Sequence, residues 1–229
     1  MTTPVAPIPR RWRRNHAALI AAGLGALIAA LAVVLITRPT DTTSSAPSGP
    51  TSKFAGPVFP AGLRASPFSL QDQDGKPATL AQYRGQVIVL SFMYSRCRDT
   101  CPVMATEIRG ALDALPQAGR GIPVLAITVD PAHDTPASAR AFIARERMTG
   151  RMRFLLGSYR QLRPIYKRYA IQPEFDQAGR EYSHGHSSFV MLIDRGGLLR
   201  VGFSAGNLVP EDLTHDLNVL IAPRPASRH

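Results

Sequence analysis

Cys97 and Cys101 are the only cysteines in the chain, and they lie in the segment Ser91-Phe92-Met93-Tyr94-Ser95-Arg96-Cys97-Arg98-Asp99-Thr100-Cys101-Pro102. Two cysteines are too few for a disulfide framework, so their short spacing points to chemistry. Two neighbouring thiolates can share a soft metal ion, exchange with another disulfide, or close into a static crosslink. The crosslink would span a very small loop, where the chain-entropy gain of a disulfide is at its lowest. A metal site needs a third ligand, and the six histidines are His16, His133, His184, His186, His215 and His229. His184-Gly185-His186 precedes an apolar run at residues 188–193. If that segment is extended, both imidazoles point to one face. His133 sits in a turn rich in Pro and Asp, and His215 falls on the polar side of the last helical segment. His16 and His229 lie outside the folded region.

The elements that must position the cysteines can be read from apolar periodicity. Residues 87–92 form a short β-rich run and predict a buried strand. Residues 102–115 carry Met104, Ile108, Leu112 and Leu115 along one helical face. Pro102 belongs in the first turn, so the helix starts close to Cys101 and Cys97 lies in the preceding loop. Ligands gather at the carboxyl ends of strands in open α/β sheets. A helix start there presents unpaired N–H groups and the positive end of the dipole, both of which favour a thiolate. Arg96 and Arg98 add positive charge nearby.

Elsewhere, Asp74-Gly75 marks a hairpin turn after residues 68–70. Residues 124–129 and 154–156 read as further strands. Thr135-Pro136 starts a helix with a cap and a first-turn proline. Ser158 and Gln161 form a capping box for another helix, which Pro164 should kink or break. Gly196-Gly197 joins strands at residues 188–193 and 198–203 as a hairpin, and Leu213, Leu217 and Leu220 line a last helix. The order β-α-β-α-β-α-β-β-α implies an α/β sheet layered with helices.

Residues 17–36 are an unbroken apolar or glycine run of twenty, about 30 Å long as a helix and enough to span a bilayer core. Arg38-Pro39-Thr40 follows in place of a small-residue cleavage site, so the run reads as an uncleaved signal anchor. Apart from the Arg10-Arg11 pair, the twin-arginine signature is not evident. Arg10, Arg11, Arg13 and Arg14 precede the run, which places the N-terminus in the cytoplasm and the rest on the extracytoplasmic side. The expected organisation is a basic segment at 1–16, a transmembrane signal anchor at 17–37, a Pro/Ser/Thr-rich tether at 38–62, one folded domain at 63–222 and a tail at 223–229. The net charge is +11. The basic residues beyond the N-terminal cluster are scattered among acids and no nucleic-acid motif is present, so no nucleic-acid partner is expected.

Several blocks together resemble the Sco/SenC family. They are Cys-x-x-x-Cys-Pro after a β-run, the segment Thr128-Val129-Asp130-Pro131-Ala132-His133-Asp134-Thr135-Pro136, His186-Ser187 leading into Val190-Met191-Leu192-Ile193-Asp194, and the opening hairpin at residues 68–75. The resemblance covers about residues 54–221 and preserves motif order. It implies a thioredoxin-like fold, a central mixed sheet flanked by helices, preceded here by one N-terminal transmembrane helix. It implies one copper ion, Cu(I) or Cu(II), held by Cys97, Cys101 and His186. The implied activity is that of a copper chaperone that takes copper from an unidentified donor and delivers it to the CuA site of cytochrome c oxidase subunit II. Thiolates favour Cu(I), and imidazole helps to accommodate Cu(II). Transfer requires ligands exposed to a partner. Many family members carry an acidic residue before the ligand histidine, where this chain has Gly185, so that supporting carboxylate is missing. His184 reads as an exposed loop residue, with an accessory ligand or entry-site base as the alternative, and Asp130 as a support without a direct bond.

The rival reading is a thiol-disulfide oxidoreductase, with Cys97 and Cys101 as the redox pair acting on cysteines of a partner such as oxidase subunit II. Ordinary thioredoxins use Cys-x-x-Cys; the extra residue here widens the pair. A histidine also stands near the position where those proteins carry a cis-proline. Both differences favour metal binding. Thiol peroxidases need Thr or Ser three residues before the reactive cysteine and Pro seven before, but this chain has Tyr94 and Leu90.

Overall fold

A computed structural model describes residues 52–119, 121–173 and 188–223. The segments at 1–16 and 17–37, His184, Gly185 and His186 therefore lie outside the described residues. Among the described residues no helix is long and apolar enough to cross a membrane.

Seven strands form one sheet: β1 (Ser69–Asp72), β2 (Pro77–Thr79), β3 (Ile88–Met93), β4 (Val124–Thr128), β5 (Met152–Leu156), β6 (Phe189–Ile193) and β7 (Leu199–Ser204). Their spatial order is β2-β1-β5-β4-β3-β6-β7. β3, β4 and β5 run parallel, whereas β6 pairs antiparallel with β3 and β7 with β6. The hairpin of β1 and β2 closes the other edge through antiparallel pairing with β5. The four helices are α1 (Thr100–Ala114), α2 (Pro136–Arg145), α3 (Tyr159–Tyr169) and α4 (Pro210–Ile221).

β3 shows why the sheet is central. All six of its residues are buried, as expected for a strand covered on both faces. Its side chains alternate: Val89 and Met93 join the core beneath α1, α2 and α4, and Ile88, Leu90 and Phe92 join the one beneath α3. The helices begin at the predicted caps. Thr135 and Ser138 form a capping box around Pro136, and Ser158 with Gln161 does the same for α3. The result is a mixed sheet between helical layers, an α/β thioredoxin-like arrangement in which the cysteines lie where β3 gives way to α1.

Two expectations change. α3 runs as one helix through Pro164, so of the expected kink or break the break does not occur. Pro164 is exposed and costs only the bond to the Arg160 carbonyl, which solvent can reach. The buried row Leu162, Ile165, Tyr166 and Tyr169 holds both halves on the sheet. Residues 52–62, assigned to the tether by composition, are built into the fold. Phe54 is buried in the core, Val58 bridges to Val201, and the backbone N–H groups of Ala55 and Gly56 donate to the buried carboxyl of Asp216 at 2.7 and 3.0 Å. A single aromatic residue and a partner carboxylate 160 residues away decide this, and composition registers neither.

Candidate functional site

β3 ends at Met93, and the chain turns through Tyr94 to Cys97, whose N–H donates to the Tyr94 carbonyl at 3.3 Å. Asp99 then caps α1 by accepting from the Thr100 N–H. Cys101 is the second residue of the helix, and its N–H, too early for a partner within the helix, donates to Cys97 Sγ at 3.2 Å. One of the orphan donors of a helix start is thus used on sulfur. Cys97 Sγ in turn lies 3.3 Å from Asp99 Oδ1, in position to donate when protonated. The two cysteines are free thiols.

The pair is asymmetric. A hydrogen bond from the Cys101 thiol is the main reason the Cys97 pKa is lowered to about 6; burial opposes it, and the N–H groups of Cys101 and Asp99 assist. Cys101 is raised well above the ordinary thiol range, first by donating to Cys97 and then by burial. The first proton to leave the dithiol therefore leaves Cys97, while Cys101 retains the second. The Thr100 N–H, and after it the Cys97 thiol, hold the Asp99 carboxyl below its usual range.

A second layer of polar groups holds the loop. Asp134 accepts from the Ser95 N–H at 2.9 Å and from Ser95 Oγ and Thr128 Oγ1 at 2.5 Å each. It ties the exit of β3 to the end of β4 and the start of α2. Burial raises the pKa of its carboxyl, against the hydrogen bonds from Ser95 and Thr128. Asp130 is fully buried and accepts from Arg96 Nη2 at 3.0 Å; its other oxygen lies 2.7 Å from His133 Nδ1. The charge of Arg96 is thus committed to Asp130, and Arg98 is a further exposed cation beside the pair.

Both cysteines are buried, Cys97 at 2% exposure and Cys101 at 0%, which corrects the expectation of exposed ligands. Cys97 lies at the floor of an open cleft of about 690 Å³ between its own loop and the α2 residues Ser138, Ala141 and Arg145. The donor set suits a soft ion: two sulfurs converge at one helix start, one of them favoured as thiolate. Among the described residues no group of three metal-ligating side chains forms, and the third ligand expected from sequence, His186, lies outside them.

Asp99, Ser95, Thr128 and Asp134 were not among the residues singled out from sequence. Asp99 carried a usable signal, a capping residue just before a helix with an early proline. Asp134 sits in a motif block, but its partner Ser95 is 39 residues away, a pairing that no local pattern encodes.

The fold and the dithiol at a strand-to-helix junction define a thioredoxin-like protein with a Cys-x-x-x-Cys site. The SCO1/SenC family model matches residues 60–222, and the chain belongs to that family. It is 30% identical over 134 residues to an SCO2-like protein of Rickettsia prowazekii, covering 57% of this chain and 64% of that protein. It is 31% identical over 137 residues to the mitochondrial SCO2 protein of Saccharomyces cerevisiae, covering 57% of this chain but 44% of that one. The chain thus spans less than two thirds of each of these relatives. The structure of Bradyrhizobium japonicum ScoI with copper bound aligns at a TM-score of 0.58 and 26% identity, covering 69% of this chain and all of that one.

Proposed function

We propose that this protein is a membrane-anchored copper chaperone for cytochrome c oxidase assembly, carrying one copper ion on Cys97, Cys101 and His186. The observation that carries the reading is the Cys101 N–H donating to Cys97 Sγ at 3.2 Å, which sets both sulfurs at one helix start. The ion is cargo, taken from a donor and passed to the CuA site of oxidase subunit II. Cys97, already favoured as thiolate, is the first protein group to engage it. Cys101 follows on losing its proton, and His186 supplies the nitrogen that steadies Cu(II). Asp134 and Asp130 hold the loop in place from behind. Copper binding to the related Bradyrhizobium protein and membership of the family support this reading. Residues 17–37 would keep the domain beside a membrane-bound oxidase, on the extracytoplasmic side, raising its effective concentration there.

The thiol asymmetry favours a second reading, reduction of the partner's cysteines. The Cys97 thiolate attacks a partner disulfide and forms a mixed disulfide, releasing one partner thiolate that takes up a proton. Cys101 loses its proton and attacks Cys97 Sγ. The second partner thiolate leaves and is protonated, so the partner gains two thiols and this chain keeps a Cys97–Cys101 disulfide.

One pair of measurements on the reduced full chain separates the readings. The chaperone is expected to bind one copper per chain and to lose affinity on His186→Ala; unchanged affinity would sink it. The reductase is expected to survive His186→Ala and to stop on Cys97→Ser or Cys101→Ser.

A further inference from the structure

The end of the sheet opposite the cysteines is basic. Arg64, Arg84 and Arg195 rim a cavity of about 320 Å³ around the β6–β7 turn, and Lys53 and Arg195 rim an adjoining one of about 180 Å³. All four side chains are exposed, and among the described residues none of them has a carboxylate partner. Asp194 is the one acid lining either cavity. It is buried and already occupied by the N–H groups of Gly196 and Leu198 and by Arg200 at 3.0 Å. The other acids at this end are engaged as well: Asp72 pairs with Arg153, Asp74 with Arg140 and Asp113 with Arg151, and the buried Asp216 accepts from the N–H groups of Ala55 and Gly56. The uncompensated charge is therefore concentrated around one turn.

Its position matters as much as its sign. Ile88 starts β3 and Ile193 ends β6 at this pole, while the cysteines follow the far end of β3, about 20 Å away at about 3.3 Å per strand residue. The chain also enters the domain here, through Lys53. About 15 residues separate it from the apolar run ending at residue 36, and a flexible coil of that length has a typical reach of about 20 Å. On the anchor reading, a linker of that length lets this pole reach the layer of about 10 Å in which an anionic surface attracts cations.

We propose that Lys53, Arg64, Arg84 and Arg195 form a docking face for anionic lipid headgroups, which lays the domain on its own bilayer with the dithiol turned away from it. The inference rests on reading residues 17–37 as a membrane anchor. Each cation near such a surface raises its occupancy about fivefold.

The test uses the full chain in nanodiscs of phosphatidylcholine alone and of phosphatidylcholine with phosphatidylglycerol, followed by amide hydrogen exchange. Residues 80–86 and 194–200 are expected to exchange several-fold more slowly on the anionic discs. The difference should vanish at about 0.5 M salt, where screening shortens to a few ångströms, and in the Lys53→Glu/Arg84→Glu variant. Neither of those side chains makes a hydrogen bond within the described residues, and Lys53 gives up only its place 5.3 Å over the Phe54 ring, so the melting temperature should fall by no more than a few degrees. Equal exchange on both discs, with the chain co-eluting with them, overturns the docking face. A chain that does not co-elute with the discs overturns the anchor reading, and the docking face with it.

Discussion

Asp134 holds Ser95 twice with one oxygen: Oδ1 accepts the Ser95 backbone N–H at 2.9 Å and its hydroxyl at 2.5 Å. Cys97 is two residues further along the same loop, so this contact sets where the cysteine loop leaves the sheet. Asp134→Ala would leave the Ser95 N–H and the Thr128 hydroxyl without their acceptor at a buried site, while the Ser95 hydroxyl keeps Ser138 Oγ at 2.8 Å. A loss of about 1–3 kcal/mol in unfolding free energy is expected, measured by denaturant titration. Copper affinity should fall about 10- to 100-fold as well, as for supporting groups around metal ligands. A variant destabilised but unchanged in copper affinity would confine Asp134 to the fold.

The low pKa of Cys97 makes its alkylation the sharpest probe of the dithiol. Its rate in the reduced protein should rise to half its plateau near pH 6, followed by mass spectrometry. Cys101→Ala removes the thiol that chiefly lowers Cys97, so the midpoint should move up. In Cys97→Ser, Cys101 stays hard to alkylate, because burial still holds its pKa high.

The same shift predicts a stability trend. The unfolded Cys97 thiol ionises near 9 and the folded one near 6, so between these values the unfolded state binds more protons. The contribution of Cys97 is fully present above 9 and is lost as pH falls through 6. Reduced protein should therefore gain stability from pH 6 to 8 in thermal melts, and Cys97→Ser should lose most of that gain.

Asp72 should shape the acid limb. Burial pushes its carboxyl up, but the N–H groups of Lys76 and Asp74 and the Arg153 guanidinium outweigh burial and lower it. A lowered carboxyl stabilises above its unfolded pKa, and that contribution disappears as pH falls through the folded value. Asp72→Asn keeps an acceptor for the turn but loses the Arg153 pair at 2.8 Å. It should be less stable than the parent at pH 7, by about 1–3 kcal/mol, and the two should converge as pH falls through the lowered value of the Asp72 carboxyl.

Gly56 tests whether residues 52–58 belong to the fold. A Cβ there would meet the Phe203 ring at 2.5 Å and Val201 at 2.6 Å. Gly56→Ala should cost about 1–3 kcal/mol through overpacking, read by denaturant titration. If residues 52–58 were a loose tether, the substitution would cost nothing.

How far the chain could be read without coordinates is visible element by element. The hairpins at Asp74-Gly75 and Gly196-Gly197, the capped starts of α2 and α3, and the buried β3 were all legible, because turn chemistry, caps and apolar periods are local. Cys97 and Cys101 were legible for the same reason: four positions of spacing before a helix start is a local geometric fact. The family blocks added the thioredoxin-like arrangement, which the strand order now displays.

What the sequence determined by itself is therefore the dithiol, its place between a buried strand and a helix, and the order of elements around it. The tertiary structure decided what those groups meet. It buried both cysteines, committed Arg96 to Asp130, placed Asp134 under Ser95 and drew residues 52–58 into the core against Asp216 and Phe203. It also carried α3 through Pro164. Each of these outcomes depends on contacts between residues far apart in the chain, or on burial summed over several elements, whereas a sequence pattern records only what neighbouring residues do to one another.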